Sequence, residues 1–173
     1  MRELADAERI RSFMRALGHE ADQDGDSYFT DGATAVLIGW RASTIDVDLS
    51  LVPESDRVLR ALPRIKDELA INVELASPAD FIPVPVGWED RSVFIAREGR
   101  LSFHHFDLHA QALAKVERAH RQDLEDVRAL VERGLVIPER ALQYFEQIEP
   151  ELYRYPAIDP AAFQRRVEEM FAS

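Results

Sequence analysis

The chain contains no cysteine, which excludes structural disulfides and thiolate metal sites. Lysine is almost missing as well. Lys66 and Lys115 stand alone among 21 basic residues, a bias that codon usage suffices to explain. A lysine kept among arginines still offers a compact point charge instead of a planar fork, which singles out Lys115. No apolar run approaches the ~20 residues needed to cross a bilayer, so no membrane partner is expected. The opening segment Met1-Arg2-Glu3-Leu4-Ala5-Asp6 lacks the apolar stretch of a signal peptide, and a cytoplasmic location is expected. Positive charge is in deficit: 21 Lys and Arg against 32 Asp and Glu leave a formal charge of −11. Such a surface repels a long phosphate backbone. That argues against a general nucleic-acid binder and leaves room for an enzyme that grips one nucleotide or one RNA end.

What is present suits a folded domain. The 173 residues are 46% hydrophobic and 31% charged, enough to bury a core. Residues ~3–17 carry Leu4, Ile10, Phe13, Met14 and Leu17 at helical spacing, with Gly18 as a left-handed stop. Ser27–Thr30 reads as a strand, Asp31-Gly32 as a turn, and the segment to about Trp40 as a helix. From Thr44 to Val52, Ile45, Val47, Leu49 and Leu51 alternate with Asp46, Asp48 and Ser50, the period of a strand. Residues ~55–69 form a helix capped by Ser55, and Ala70–Leu75 a further strand in which Asn72 and Glu74 take the polar positions. The proline-rich stretch Ser77–Asp90 reads as a loop. Ser92–Ala96 and Leu101–Phe106 make a hairpin around Arg97-Glu98-Gly99-Arg100. Helices follow over ~108–133, with a break near His120, then 138–148 and 160–172. The expected class is α+β, a small mixed sheet with flanking helices and a helical C-terminal half. The division is 1–106 for the α/β core with its N-terminal helix and 107–173 for the helical region packed on it, one domain overall.

The chemistry concentrates at Asp46 and Asp48. Alternation puts both carboxylates on one side of their strand while Val47 and Leu49 enter the core. Taken alone, Asp-x-Asp is an ordinary solvated strand face. Two carboxylates this close repel, and a divalent cation relieves the repulsion; oxygen ligands favour Mg²⁺ (or Mn²⁺) over zinc. Glu74, on the polar face of the next strand, adds a third oxygen ligand if the strands are neighbours. Upstream, a strand, a Gly-containing turn and a helix offer N–H groups to phosphate.

The run Tyr28-Phe29-Thr30-Asp31-Gly32-Ala33-Thr34 followed by Arg41-Ala42-Ser43-Thr44-Ile45-Asp46-Val47-Asp48 resembles the signature of the nucleotidyltransferase superfamily. That signature is an apolar residue, Gly-Gly or Gly-Ser, a spacer, then Asp-apolar-Asp. It is most similar to small bacterial members associated with abortive infection and toxin–antitoxin systems, in which an Arg and a Ser or Thr precede the acidic pair, as Arg41 and Thr44 do here. Lys115 followed by Arg121, Asp123 and Asp126 matches the family's downstream order, so the resemblance covers residues ~27–135. It implies transfer of a nucleoside monophosphate from an NTP to an acceptor hydroxyl on an RNA end, a protein or a small molecule. Asp46, Asp48 and Glu74 would hold the metal and act in catalysis with Lys115. Gly32, Ala33, Arg41, Thr44, Arg121, Asp123 and Asp126 would bind or orient the nucleotide. A cognate antitoxin or a second copy of the chain is the implied partner. One departure stands out: the first Gly of the family's pair is Asp31 here, a carboxylate where phosphates would approach. It favours the alternative, a non-catalytic member serving as a binding or regulatory module.

Other patterns point to structure. Asp22-x-Asp24-x-Asp26 fails as a calcium loop because Ser27 and Ala33 stand where glycine and the bidentate Glu belong. His104, His105 and His109 are read as hydrogen-bonded histidines in preference to zinc ligands. Trp40, Trp88 and the C-terminal aromatics are read as packing residues.

Overall fold

A computed structural model describes residues 3–172; of the opening segment, Met1 and Arg2 lie outside the described residues. The fold is α+β, with a small central sheet flanked by helices and a helical C-terminal half. The chain divides into two compact units, Met1–Ser77 with Val93–His105 and Pro78–Ser92 with Phe106–Ser173.

The first unit is built on a five-stranded sheet, β2 (Gly25–Thr30), β4 (Asp46–Val52), β5 (Asn72–Leu75), β6 (Val93–Glu98) and β7 (Leu101–His105), in the order β5-β4-β2-β7-β6. β2 runs antiparallel to β4 and parallel to β7, β4 runs parallel to β5, and β6 and β7 form the expected hairpin. Val47, Leu49 and Leu51 of β4 and Phe29 of β2 enter one core. Ile10, Phe13 and Leu17 of α1 (Ala7–Glu20) and Val58, Leu62 and Ile65 of α3 (Asp56–Glu68) complete it. A period of two on the strands and of 3.6 on the helices thus converge on a single sheet face. The other face keeps Asp46, Asp48, Asn72 and Glu74.

Several expected boundaries move, each for a local reason. α1 starts at Ala7, where Asp6 caps it through the Arg9 N–H at 2.8 Å, and Leu4 is left exposed. Gly18 does not stop α1; it lies inside the helix, where a Cβ would fall 2.1 Å from the Glu98 carbonyl oxygen. Close approach, not a left-handed φ, requires that glycine. Ser55 precedes α3 without a side-chain capping bond. The expected strand from Thr44 is broken. Ser43–Thr44 forms β3, paired with β1 (Ala5–Asp6), and Ile45 is a bend residue 70% exposed, not a core residue. The strand expected from Ala70 begins at Asn72, because Ala70 takes φ +51°, and Leu75 on it is exposed.

In the second unit, the loop expected over 77–90 contains a 3-10 turn at Pro78–Asp80 and a short helix, α4 (Trp88–Arg91). Four longer helices follow, α5 (Leu108–Arg118), α6 (Arg121–Glu132), α7 (Pro138–Ile148) and α8 (Pro160–Phe171). The break expected near His120 is present: α5 and α6 form a helical hairpin, turned by Ala119 at φ +59°. α5 is buried on all sides from Leu108 to Val116; its small residues Ala110, Ala112 and Ala114 let α6, α7 and α8 pack closely around it. Trp88 stacks on Phe106 with ring centroids 4.2 Å apart, and Phe145 meets Phe163 edge to face. These aromatics are packing residues, although Tyr153 is exposed. No described helix is long and apolar enough to cross a membrane.

Candidate active site

The acidic residues of the first unit are brought onto one sheet face by strand register. In the parallel pair β4–β5, Asp46 lies beside Asn72 and Asp48 beside Glu74. Register neighbours share a face, so Glu74 lies on the same side of the sheet as Asp46 and Asp48. On the other flank Thr30 of β2 is the register partner of Asp48 and is buried. Asp46 and Asp48 are half-buried and Glu74 is exposed. Successive same-face positions on a strand stand roughly 7 Å apart along the chain, a spacing at which two carboxylates repel. Asn72, whose place in the alternation of β5 marks it only as a polar strand residue, donates its amide N–H to Asp46 Oδ1.

Among the described residues no group of three or more His, Cys, Asp or Glu side chains is gathered to hold a metal ion. The donors nevertheless fit a hard divalent cation in kind: on β4 and β5 they are all carboxylate oxygens.

The phosphate-receptive turn expected next to this face follows β2. Asp31 precedes α2 (Gly32–Ile38) at φ +57° and ψ −122°, a conformation that suits glycine. The position therefore takes a backbone that glycine adopts freely while carrying a carboxylate. Gly32 and Ala33 open the helix and are buried. Gly32 is held by Thr44, since a Cβ at Gly32 would lie 2.0 Å from Thr44 Oγ1. Thr44 Oγ1 in turn donates to the Asp46 carbonyl at 3.0 Å. Contact thus runs from the turn through the Thr44 side chain to the start of β4. Arg41 sits half-buried in the α2–β3 connection.

A second link supports the turn. His105 of β7 lies on the core face, with Nδ1 3.0 Å from Thr34 Oγ1, and Thr34 Oγ1 reaches the Phe29 carbonyl at 3.4 Å. Burial, helped by the nearby Arg11 charge, pushes the His105 pKa down to about 4. The alternation of β7, with Leu101 and Phe103 inside, is the signal by which sequence could have placed His105 in the core. The three histidines separate: His104 contacts Asp26 at 2.8 Å and stacks on Tyr28, while His109 Nε2 accepts the Ile137 N–H at 3.0 Å in the second unit. They share no metal site. The acidic turn is also committed elsewhere, because Asp24 takes Arg97 and Arg100 at 3.0 Å each.

In the helical unit, Lys115 and Asp126 meet at 2.9 Å with side chains 3% and 1% exposed. Asp123 lies 3.7 Å from Lys115 and 3.0 Å from Arg118, and Gln122 donates to Asp126 Oδ1. Lys115 and Asp126 meet across the α5–α6 hairpin. Arg121 stands apart, 92% exposed and paired with Glu125 at 3.3 Å.

A family model described as "Nucleotidyltransferase of unknown function (DUF6036)" matches residues 8–149. No curated protein matches the chain, and no solved structure does.

Proposed function

The chain belongs to the nucleotidyltransferase family of unknown function (DUF6036), and on that premise we propose that it transfers a nucleoside monophosphate from an NTP to an acceptor hydroxyl. The observation that most supports this reading is the shared face of Asp46, Asp48 and Glu74 across β4 and β5. A Mg²⁺ or Mn²⁺ held by these three carboxylates would supply charge neutralisation for the attacking and leaving oxygens.

The chain's own groups divide the remaining work. Glu74, the most exposed of the three carboxylates, takes the proton of the acceptor hydroxyl. The freed oxygen bonds to the α-phosphorus, the bond from that phosphorus to the α–β bridging oxygen breaks, and pyrophosphate leaves. Backbone N–H groups of Gly32 and Ala33 receive the triphosphate, and Thr44 keeps that turn in contact with the start of β4. Arg41 supplies neutralising charge. The roles of Lys115, Arg121, Asp123 and Asp126 toward the nucleotide rest on the resemblance. Their contacts support a further task for Lys115, Asp123 and Asp126, holding α5 against α6.

The acceptor is an RNA end, a protein or a small molecule, and the acidic surface favours a small or locally held one. The likeness to toxin–antitoxin and abortive-infection members extends the proposal to a cognate antitoxin as partner, for which co-purification from the native host is the test. Incubation with each NTP labelled at the α-phosphate, Mg²⁺ and cell extract tests the transfer itself: label is expected on an acceptor. Asp31 supports a second reading, a binding or regulatory module, since its carboxylate stands at the turn that phosphate would approach. That reading predicts neither metal-dependent NTP binding nor transfer.

A further inference from the structure

We infer that Asn72 is a positioning residue for the Asp46 carboxylate, a role that rests on the reading of β4 and β5 as a cation-binding face. The two residues are register partners, and the Asn72 amide donates to Asp46 Oδ1. An ionised aspartate only accepts, so the amide nitrogen must be the atom that faces it. Strand pairing fixes the backbone on both sides but leaves a half-buried aspartate several staggered rotamers. The amide selects among them and keeps Oδ2 on one heading.

The kind of partner matters more than the bond itself. Other aspartates of this chain are neutralised by cations: Asp24 by Arg97 and Arg100, Asp107 by Arg91, Asp123 by Arg118 and Asp126 by Lys115. A cationic partner on Asp46 would compete with a metal ion. A neutral amide orients the carboxylate and leaves its full negative charge in place. Hydrogen bonds of this sort to a ligating group set metal affinity, and removing one typically costs about 10–100-fold.

The test is titration of Mn²⁺ alone into the full chain, read by the electron paramagnetic resonance signal of free Mn²⁺. The wild type is expected to bind Mn²⁺, and Asn72→Ala and the shape-matched Asn72→Leu to bind it at least about tenfold more weakly. Circular dichroism in chelator identifies the variants that stay folded, and either one suffices. In the transfer assay the same variants need more metal but regain the wild-type kcat at saturation. Affinity unchanged or tightened in Asn72→Leu or Asn72→Ala overturns the positioning role. A wild type that binds no Mn²⁺, or binding undiminished in Asp46→Asn, overturns instead the cation-binding reading beneath it.

Discussion

Gly32 packs directly against the side chain of Thr44: a Cβ at position 32 would lie 2.0 Å from Thr44 Oγ1 and 2.7 Å from Thr44 Cβ. Gly32 is helical, so no left-handed φ requires the glycine. Replacing glycine by alanine inside a helix normally stabilises by up to ~1 kcal/mol. Here the added methyl meets an atom fixed to the backbone of β3, and overpacking costs about 1–3 kcal/mol. The clash wins. Gly32→Ala is expected to lower stability in urea denaturation, and Thr44→Ala in the same chain to recover part of the loss. Additive losses would show that the two residues do not press on each other.

The Lys115–Asp126 pair is nearly sealed from water. Breaking a buried pair by removing one partner leaves a charge without compensation and costs about 3–5 kcal/mol. Lys115→Met and Asp126→Leu should each lose that much, a large share of the ~5–15 kcal/mol that holds a domain folded. The double variant should lose less than the sum of the two. Chemical denaturation of all four chains, combined as a double-mutant cycle, checks it.

His105 gives stability a definite pH slope. Its folded pKa of about 4 lies below the ordinary histidine value of 6.5. As pH falls below 6.5, the unfolded chain takes up a proton that the folded chain refuses until about pH 4, so this group costs stability progressively across that window. His105→Gln removes the cost. The drop in stability between pH 7 and pH 5 should shrink by about 2 kcal/mol in that variant, as measured by denaturation at both pH values. An equal drop in both chains would place His105 in water.

Asp31 holds a backbone conformation that costs a residue with a side chain about 1–3 kcal/mol. Asp31→Gly relieves that strain and withdraws a carboxylate from the turn after β2. The variant is expected to gain about 1 kcal/mol in urea denaturation and to bind NTP more tightly. Weaker NTP binding would assign the Asp31 side chain a direct role in holding the nucleotide.

Much of this was legible in the sequence where a period repeats. The alternation Val47, Leu49, Leu51 declares one face of β4, and with it the shared face of Asp46 and Asp48. Ile45 obeys the same alternation and still ends up exposed, because the strand bends between Thr44, which packs on Gly32, and Asp46. No local pattern announces that tertiary contact. Gly18 misleads for a related reason, since a glycine demanded by a passing backbone looks the same as one that ends a helix. The break expected near His120 falls one residue earlier, at Ala119, but no local pattern announces that the two helices fold back to bring Lys115 onto Asp126. Asn72 was invisible as a partner of Asp46 because strand order and register, not composition, bring them together.

The most direct test of the account is label transfer from an α-phosphate-labelled NTP in Mg²⁺, compared among the wild type, Asp46→Asn and Asp48→Asn, all shown to be folded. The account predicts transfer by the wild type and its loss in both variants. Transfer that persists undiminished in either variant would contradict it.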